Sequence, residues 1–361
     1  MTLPVAILRI GAVTSVGLNA PSSFAAMRVR LNNFEETAFF DSKGEAVCAG
    51  IVPLETDAVR LGIMEKQLAM LAQALRECLQ SLPGLATSSI PLLLCVAEVT
   101  RPGRPENLER TLNAGIAQIL GYGFGAQSAS FAYGQASAVF ALNAAFDLLK
   151  THPLVMIAGV DSYLGMATLQ GLHERGRIFS SDNPDGFIPG EAACALLVGR
   201  AAETHHIPPF YSNIQTTGQS GQARDASLFC TGLGIAREMA VIGGTAPNKA
   251  KGLADAIKAA VNVLPAKGGG IGLRISGQSS EDFYAKEFSI AASRANVSAT
   301  PLWSLADSLG ETGAAAGLLT IGWAYASAHK AYLPASNMVC LLASDEGERA
   351  AAVLSFGQYQ P

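Results

Sequence analysis

Charge is scarce in this sequence. Only 15% of its 361 residues are Asp, Glu, Lys or Arg, and the net charge is −4. No run of Lys and Arg marks a nucleic-acid footprint or a polybasic membrane patch, so neither nucleic acid nor membrane is expected as a partner. Cysteine pairs at metal-binding or redox spacing are also missing. The six cysteines, at 48, 78, 95, 194, 230 and 340, contain no CxxC and have no partnering histidine. Cys95 in PLLLCVAEV and Cys340 in NMVCLLAS lie inside apolar runs. They read as small buried hydrophobes, with no disulfide, no metal and no cofactor expected. A reducing, cytoplasmic compartment follows. The opening MTLPVAILRIGAV lacks a basic leader and reads as a first strand. The stretch TGAAAGLLTIGWAYASAH at 312–329 is rich in small residues and falls short of the ~20 mostly apolar residues a bilayer needs. It reads as a buried core helix.

What the sequence does have is apolar mass. Hydrophobic residues make up 49%, and there are 37 glycines, enough for one large core or two. Short apolar runs alternate with helical patterns. Strands are expected at 5–13, 90–99, 153–162 and 191–199, and helices at 21–30, 64–82 and 106–120. After residue 200 the pattern restarts, with helices at 251–264, 281–295 and 312–329 and strands at 270–276 and 336–344. This alternation predicts a layered α/β protein. The polar ETHHIPP at 203–209 joins two halves, 1–202 and 203–361, which form one compact unit.

The two halves share a detail. Gly134-Gln135 opens the helix ASAVFALNAAFDLL, and Gly310-Glu311 opens TGAAAGLLTIGWAY. A duplicated architecture places these two polar residues close together in the middle. The turn at Gly134-Gln135 has the form of a nucleophile platform at a helix N-terminus, yet it carries an amide, which has no nucleophilic chemistry.

Several motifs stand in order along the chain. RIGAVTSVGLNAPSSFAAM (9–27), QASAVFALNAA (135–145), IAGVDS (157–162), DGFIPGEAACALLV (185–198) and LGETGAAAGLL (309–319) together resemble the thiolase-fold condensing enzymes, specifically the beta-ketoacyl-ACP synthases, or 3-oxoacyl-ACP synthases. The resemblance implies a thiolase-like five-layer α/β fold of two duplicated βαβαβαββ halves, dimeric through the strand before Gln135. It also implies a Cys that carries an acyl group, two His that bind a thioester carbonyl, and a supporting Lys. Here the Cys position falls on Gln135, the first His near Ser276, the Lys on Ala306 and the second His on Glu311. Glu287 matches a family Glu and supports the register at Ser276. The family's gating loop falls in SDEGERAAAVL (344–354), with Glu346 at the gating Phe. None of the five histidines takes the place of those lost.

With no catalytic residue kept, the expected role is that of a catalytically inactive, chain-length-factor-like subunit; the family's activity would be an acyltransferase. Its partner would be a second copy or a ketosynthase-like protein, with acyl carrier protein as a further partner. An alternative is an accessory protein of a bacterial secretion-system effector cluster, with a secreted effector as partner. A third reading puts acid–base chemistry on Glu311, Glu346 and Ser276 in the old pocket. Glu311 is expected ionised at neutral pH, held by the helix dipole. Ser276, Ser279 and Ser280 read as turn residues that cap the next helix, Asp185 and Glu191 as fixing backbone turns, and RPGRPENLER (101–110) as a solvated surface loop.

Overall fold

The computed structural model describes residues 4–54, 62–80, 82, 85–201, 226–264 and 269–358. The expected join at 203–209, with His205 and His206, and the boundary at 202/203 lie outside the described residues.

The strands are β1 (Val5–Thr14), β2 (Phe34–Phe40), β3 (Ala46–Gly50), β4 (Leu92–Cys95), β5 (Ala129–Phe131), β6 (Leu154–Ser162), β7 (Glu191–Arg200), β8 (Ser227–Arg237), β9 (Leu273–Ser276), β10 (Leu302–Ser304), β11 (Asn337–Ala343) and β12 (Glu348–Gly357). The helices are α1 (Ala20–Arg28), α2 (Ile63–Leu79), α3 (Leu108–Leu120), α4 (Ser137–Leu148), α5 (Met166–Glu174), α6 (Lys251–Val261), α7 (Asp282–Arg294), α8 (Ala306–Leu309) and α9 (Ala316–His329).

Ten strands run in the order β10-β9-β11-β12-β8-β1-β7-β6-β4-β5. That order reads the same from both ends once β1 is matched with β8, β4 with β9, β5 with β10, β6 with β11 and β7 with β12. Directions match as well. β4 is parallel to β5 and β6, as β9 is to β10 and β11; β7 is antiparallel to β1 and β6, as β12 is to β8 and β11. Within the sheet, among the described residues, the halves join where Val5–Ile7 of β1 pairs with Leu228–Cys230 of β8.

The layers follow from burial. Strands β1, β6 and β7 are buried almost throughout, as strands covered on both faces must be. Helices α2 and α3 cover one half and α6 and α7 the other, each over its own apolar core. Between the halves lie α4 and α9, in the largest core. Helix α9 is apolar all round and buried from Ala316 to Ala328, which identifies it as a core helix. Its alanines and glycines let the strands of both halves of the sheet approach it at once. This is the duplicated, five-layer α/β architecture. Among the described residues no helix is long and apolar enough to cross a membrane. Five cysteines are buried and Cys48 is exposed.

Some elements depart from expectation. Of the 90–99 run, only Leu92–Cys95 forms a strand. In the stretch matched to the gating loop, only 344–347 turn; Glu348 onward is β12, whose alanines fill a flat strand between β8 and β11.

Candidate functional site

The two helix-opening turns meet at the centre of the molecule. Each is a single 3-10 turn, Gly134–Ala136 before α4 and Gly313–Ala315 before α9. Their backbones nearly superpose in angle. Tyr133 has φ −117° and Thr312 φ −113°, and both glycines have φ +51°. A side chain at Gly134 would overlap the Glu98 carboxylate, and one at Gly313 the Asp161 carboxylate. Positive φ and a close carboxylate together require glycine at both positions. This corrects the register of the internal repeat. Gly134 is equivalent to Gly313, so Gln135 is matched by Ala314, three residues beyond Glu311.

Gln135 and Glu311 nevertheless meet, as the duplication predicted. Gln135 Nε2 donates to Glu311 Oε1 at 2.9 Å and Oε2 at 2.7 Å. Gly313 N–H donates to Glu311 Oε1 at 2.8 Å. The Asp185–Glu191 motif secures Glu311 from the other side: Glu311 N–H donates to Ile188 O at 2.8 Å, and Gly190 N–H to Glu311 O at 2.9 Å. Burial pushes the Glu311 carboxyl up to about 8, against the pull of the Gln135 and Gly313 donors. Glu311 is therefore largely neutral at pH 7, contrary to the expectation of an ionised group: no helix-end dipole matches the cost of drying this carboxylate. Gln135 Oε1 is buried with no hydrogen-bond partner among the described residues.

Around this pair lies a charged network that motif matching missed. Arg101 is buried and ion-paired with Glu98, with its Nη2 3.3 Å from Asp161 Oδ2. Its guanidinium lies 3.9 Å from the Tyr163 ring centroid. Residues 101–110 are thus not simply a solvated loop. Their first arginine is drawn inward because Glu98 and Asp161 lie beside the two invariant-angle glycines and need a cation. Arg177 pairs with Glu281 and, at 2.9 Å, with Asp345, which also accepts from Tyr284 Oη at 2.5 Å. Burial raises Glu281 and Glu98, and would raise Asp345, but the Arg177 guanidinium outweighs it there and holds Asp345 low. A single acid three residues before an arginine, Glu98 before Arg101, was the sequence signal available for this network.

The remaining expected positions separate. Ser276, Ala306 and Glu311 line one cavity of about 320 Å³, together with Phe34, Phe187 and Ile188. Gln135 and Glu311 line a second, with Glu98, Arg177 and Asp345, of about 10 Å³, room for one water. Glu346 lines neither. It accepts from Thr100 N–H at 2.9 Å and Thr100 Oγ1 at 2.7 Å, tying the β11–β12 turn to the Glu98 loop. The grouping of Glu311, Glu346 and Ser276 as one acid–base set is not formed. Ser276 Oγ accepts from Gln278 N–H at 3.0 Å, and Ser279 donates to Glu281 at 2.8 Å. None of the three serines caps α7; Asp185 does, accepting from Asp282 N–H at 2.7 Å. Glu191 accepts from Val52 N–H at 2.9 Å and Ser162 Oγ at 2.8 Å and pairs with Lys66. Glu287 holds the buried Arg349 at 2.6 Å and 2.9 Å. Among the described residues, no group of His, Cys, Asp and Glu is arranged to hold a metal ion.

No family model and no curated protein matches the chain in sequence. Solved structures match it in shape. The ketosynthase from module 6 of the bacillaene synthase of Bacillus subtilis 168 matches with TM-score 0.72 at 14% identity, over 99% of this chain and 72% of that one. The ishigamide ketosynthase/chain length factor matches with TM-score 0.73 at 16% identity, over the whole of both chains. The fold is the thiolase-like ketosynthase fold. A third match at TM-score 0.73 and 13% identity covers 98% of this chain and all of a chain of AntDE:AntF, a type II polyketide synthase ketosynthase with its acyl-carrier protein.

Proposed function

We propose that this chain is a ketosynthase-fold subunit without condensing activity, which acts as a scaffold beside a ketosynthase-like partner, as a chain length factor does. One observation carries the reading: the position that the resemblance assigns to the nucleophile holds an amide, and that amide is clamped on a buried carboxyl where the resemblance calls for a histidine. Claisen condensation needs a thiolate to accept the acyl group and free donors at the enolate oxygen. Here the Gln135 Nε2 is spent on Glu311, and Gly313 N–H is spent there too. The full-length match to the ishigamide ketosynthase/chain length factor supports the reading, and the acyl-carrier protein beside the AntDE ketosynthase suggests one class of further partner. The partner strand would add at β5, which ends the sheet and is largely exposed.

The test is Gln135→Cys, assayed with acyl- and malonyl-acyl carrier protein. No ketoacyl product is expected, because Ser276, Ala306 and Glu311 still stand in place of the two His and the Lys; product from the single variant overturns the proposal. A tagged pull-down from the native cell tests the partner. A ketosynthase or acyl carrier protein is expected, whereas secretion components or an effector without acyl machinery would favour the accessory-protein reading.

A further inference from the structure

We propose that the sheet edge at β10 is a docking strand for an extended, acidic segment of another protein. Strand β10 pairs with β9 on one side. The bonds Arg274 N–H to Pro301 O, 2.9 Å, and Leu305 N–H to Ser276 O, 3.1 Å, turn the peptide groups of 301, 303 and 305 toward β9. By the alternation of a parallel pair, the N–H and C=O groups of Leu302 and Ser304 face away from it. Among the described residues no hydrogen bond reaches them. They form a short row of two donors and two acceptors in the arrangement that strand addition uses.

Two clefts meet along this edge and share Leu302, Ser304 and Asp307. One, of about 190 Å³, is walled by Met27, Trp303, Trp323 and Tyr332 and flanked by Arg28 and Arg30. The other is the 320 Å³ cavity at Phe34, Phe187 and Ile188. The side chain of Trp303 points to the opposite face from those of Leu302 and Ser304, and it lines only the first cleft. An added strand likewise sends successive side chains to opposite faces, one into each cleft.

Charge and exposure select the occupant. Arg28 lies 4.3 Å over the Tyr332 ring, and neither Arg28 nor Arg30 has a carboxylate partner among the described residues. Beside them Val29, Leu31 and Leu302 are 72%, 54% and 43% exposed. In the first cleft two arginines stand against the one shared Asp307, so it takes an Asp or Glu side chain. The second has no cation in its lining, only Asp307 and the buried Glu311 carboxyl beside the apolar Phe34, Phe187 and Ile188, so it disfavours an acid and takes a bulky apolar side chain. The recognised segment has an acidic residue next to a large apolar residue, in extended conformation.

The test pans a phage-displayed library of seven-residue peptides against the full chain. Enriched peptides are then synthesised and measured by fluorescence anisotropy. Enrichment of Asp or Glu beside a bulky apolar residue is expected. Binding should weaken at least tenfold for Arg28→Glu combined with Arg30→Glu, and for Ser304→Pro, which removes one outward N–H. Peptides N-methylated at alternate backbone positions should lose binding to the unaltered chain by a similar factor, a readout independent of variant folding. No enrichment, basic consensus sequences, or equal affinity for the charge-reversed variant and the N-methylated peptides would overturn the proposal. So would self-association by light scattering that the charge reversal abolishes, since the occupant would then be a second copy.

Discussion

The two helix-opening turns have one backbone and two chemistries. At Gly313–Ala315 the exposed amide ends are consumed by carboxylates: Gly313 N–H by Glu311, and Ala314 N–H by Asp161 at 2.9 Å. At Gly134–Ala136, Gly134 N–H donates to Val96 O at 3.3 Å, and the side chain presented is Gln135. The second turn satisfies itself, and through Glu311 it also engages the first. A helix N-terminus with free amides favours an anion or an activated nucleophile. Here carboxylates of the protein already fill that role, and Arg101, close to both Glu98 and Asp161, balances them. Conserving the turn's shape does not conserve its reactivity.

The comparison can be broken most severely at Arg101. Arg101→Met leaves two buried carboxylates unpaired, and a loss of about 3–5 kcal/mol in urea unfolding is expected; a loss below about 1 kcal/mol would mean that the arginine does not bind the two turns together. Next come Gly134→Ala and Gly313→Ala. Each forces a Cβ onto a carboxylate at positive φ, so each should cost roughly 2–4 kcal/mol. Similar losses would uphold the equivalence, and a loss at one position alone would undo it.

Glu311→Gln sharpens the chemical contrast. Its folded-state value of about 8 exceeds the ordinary 4.5. The folded protein therefore holds this proton more tightly than the unfolded chain. The contribution is whole below about pH 4.5, falls as pH rises, and is lost above about 8. The variant should gain on the parent by about 1–3 kcal/mol between pH 5 and pH 9, read as the difference in Tm profiles. Glu77, raised by burial to about 7, titrates in both proteins and cancels from that difference. The smallest effect is expected from Thr100→Val, which removes the 2.7 Å bond to Glu346 at a cost of about 0.5–1 kcal/mol in the same unfolding assay.

Much of this arrangement is legible in the residues. The apolar runs place β6 and β7 to within a residue or two, and helical spacing places α2, α3 and α7. The meeting of Gln135 and Glu311 follows from the duplication, although the matched pair of glycines is Gly134 and Gly313. What escaped has physical reasons. The run ERAAAVL has no strand preference of its own; β12 forms because alanines fit between β8 and β11 while Arg349 reaches Glu287. The state of Glu311 depends on burial by elements distant in sequence, and so does the inward turn of Arg101. Neither local pattern nor motif reports how dry a carboxylate becomes.

The cysteines carry a practical consequence. Cys48 on β3 is exposed, while Cys78 and Cys340 are buried thiols pushed up to about 12 by burial, and Cys95, Cys194 and Cys230 are shifted upward by the same cause. A thiol reagent at neutral pH should modify one site on the closed molecule and six on an open one. The protein thereby contains its own clock for opening: the rate at which five further thiols become reactive times the separation of the layers around the Gln135–Glu311 pair.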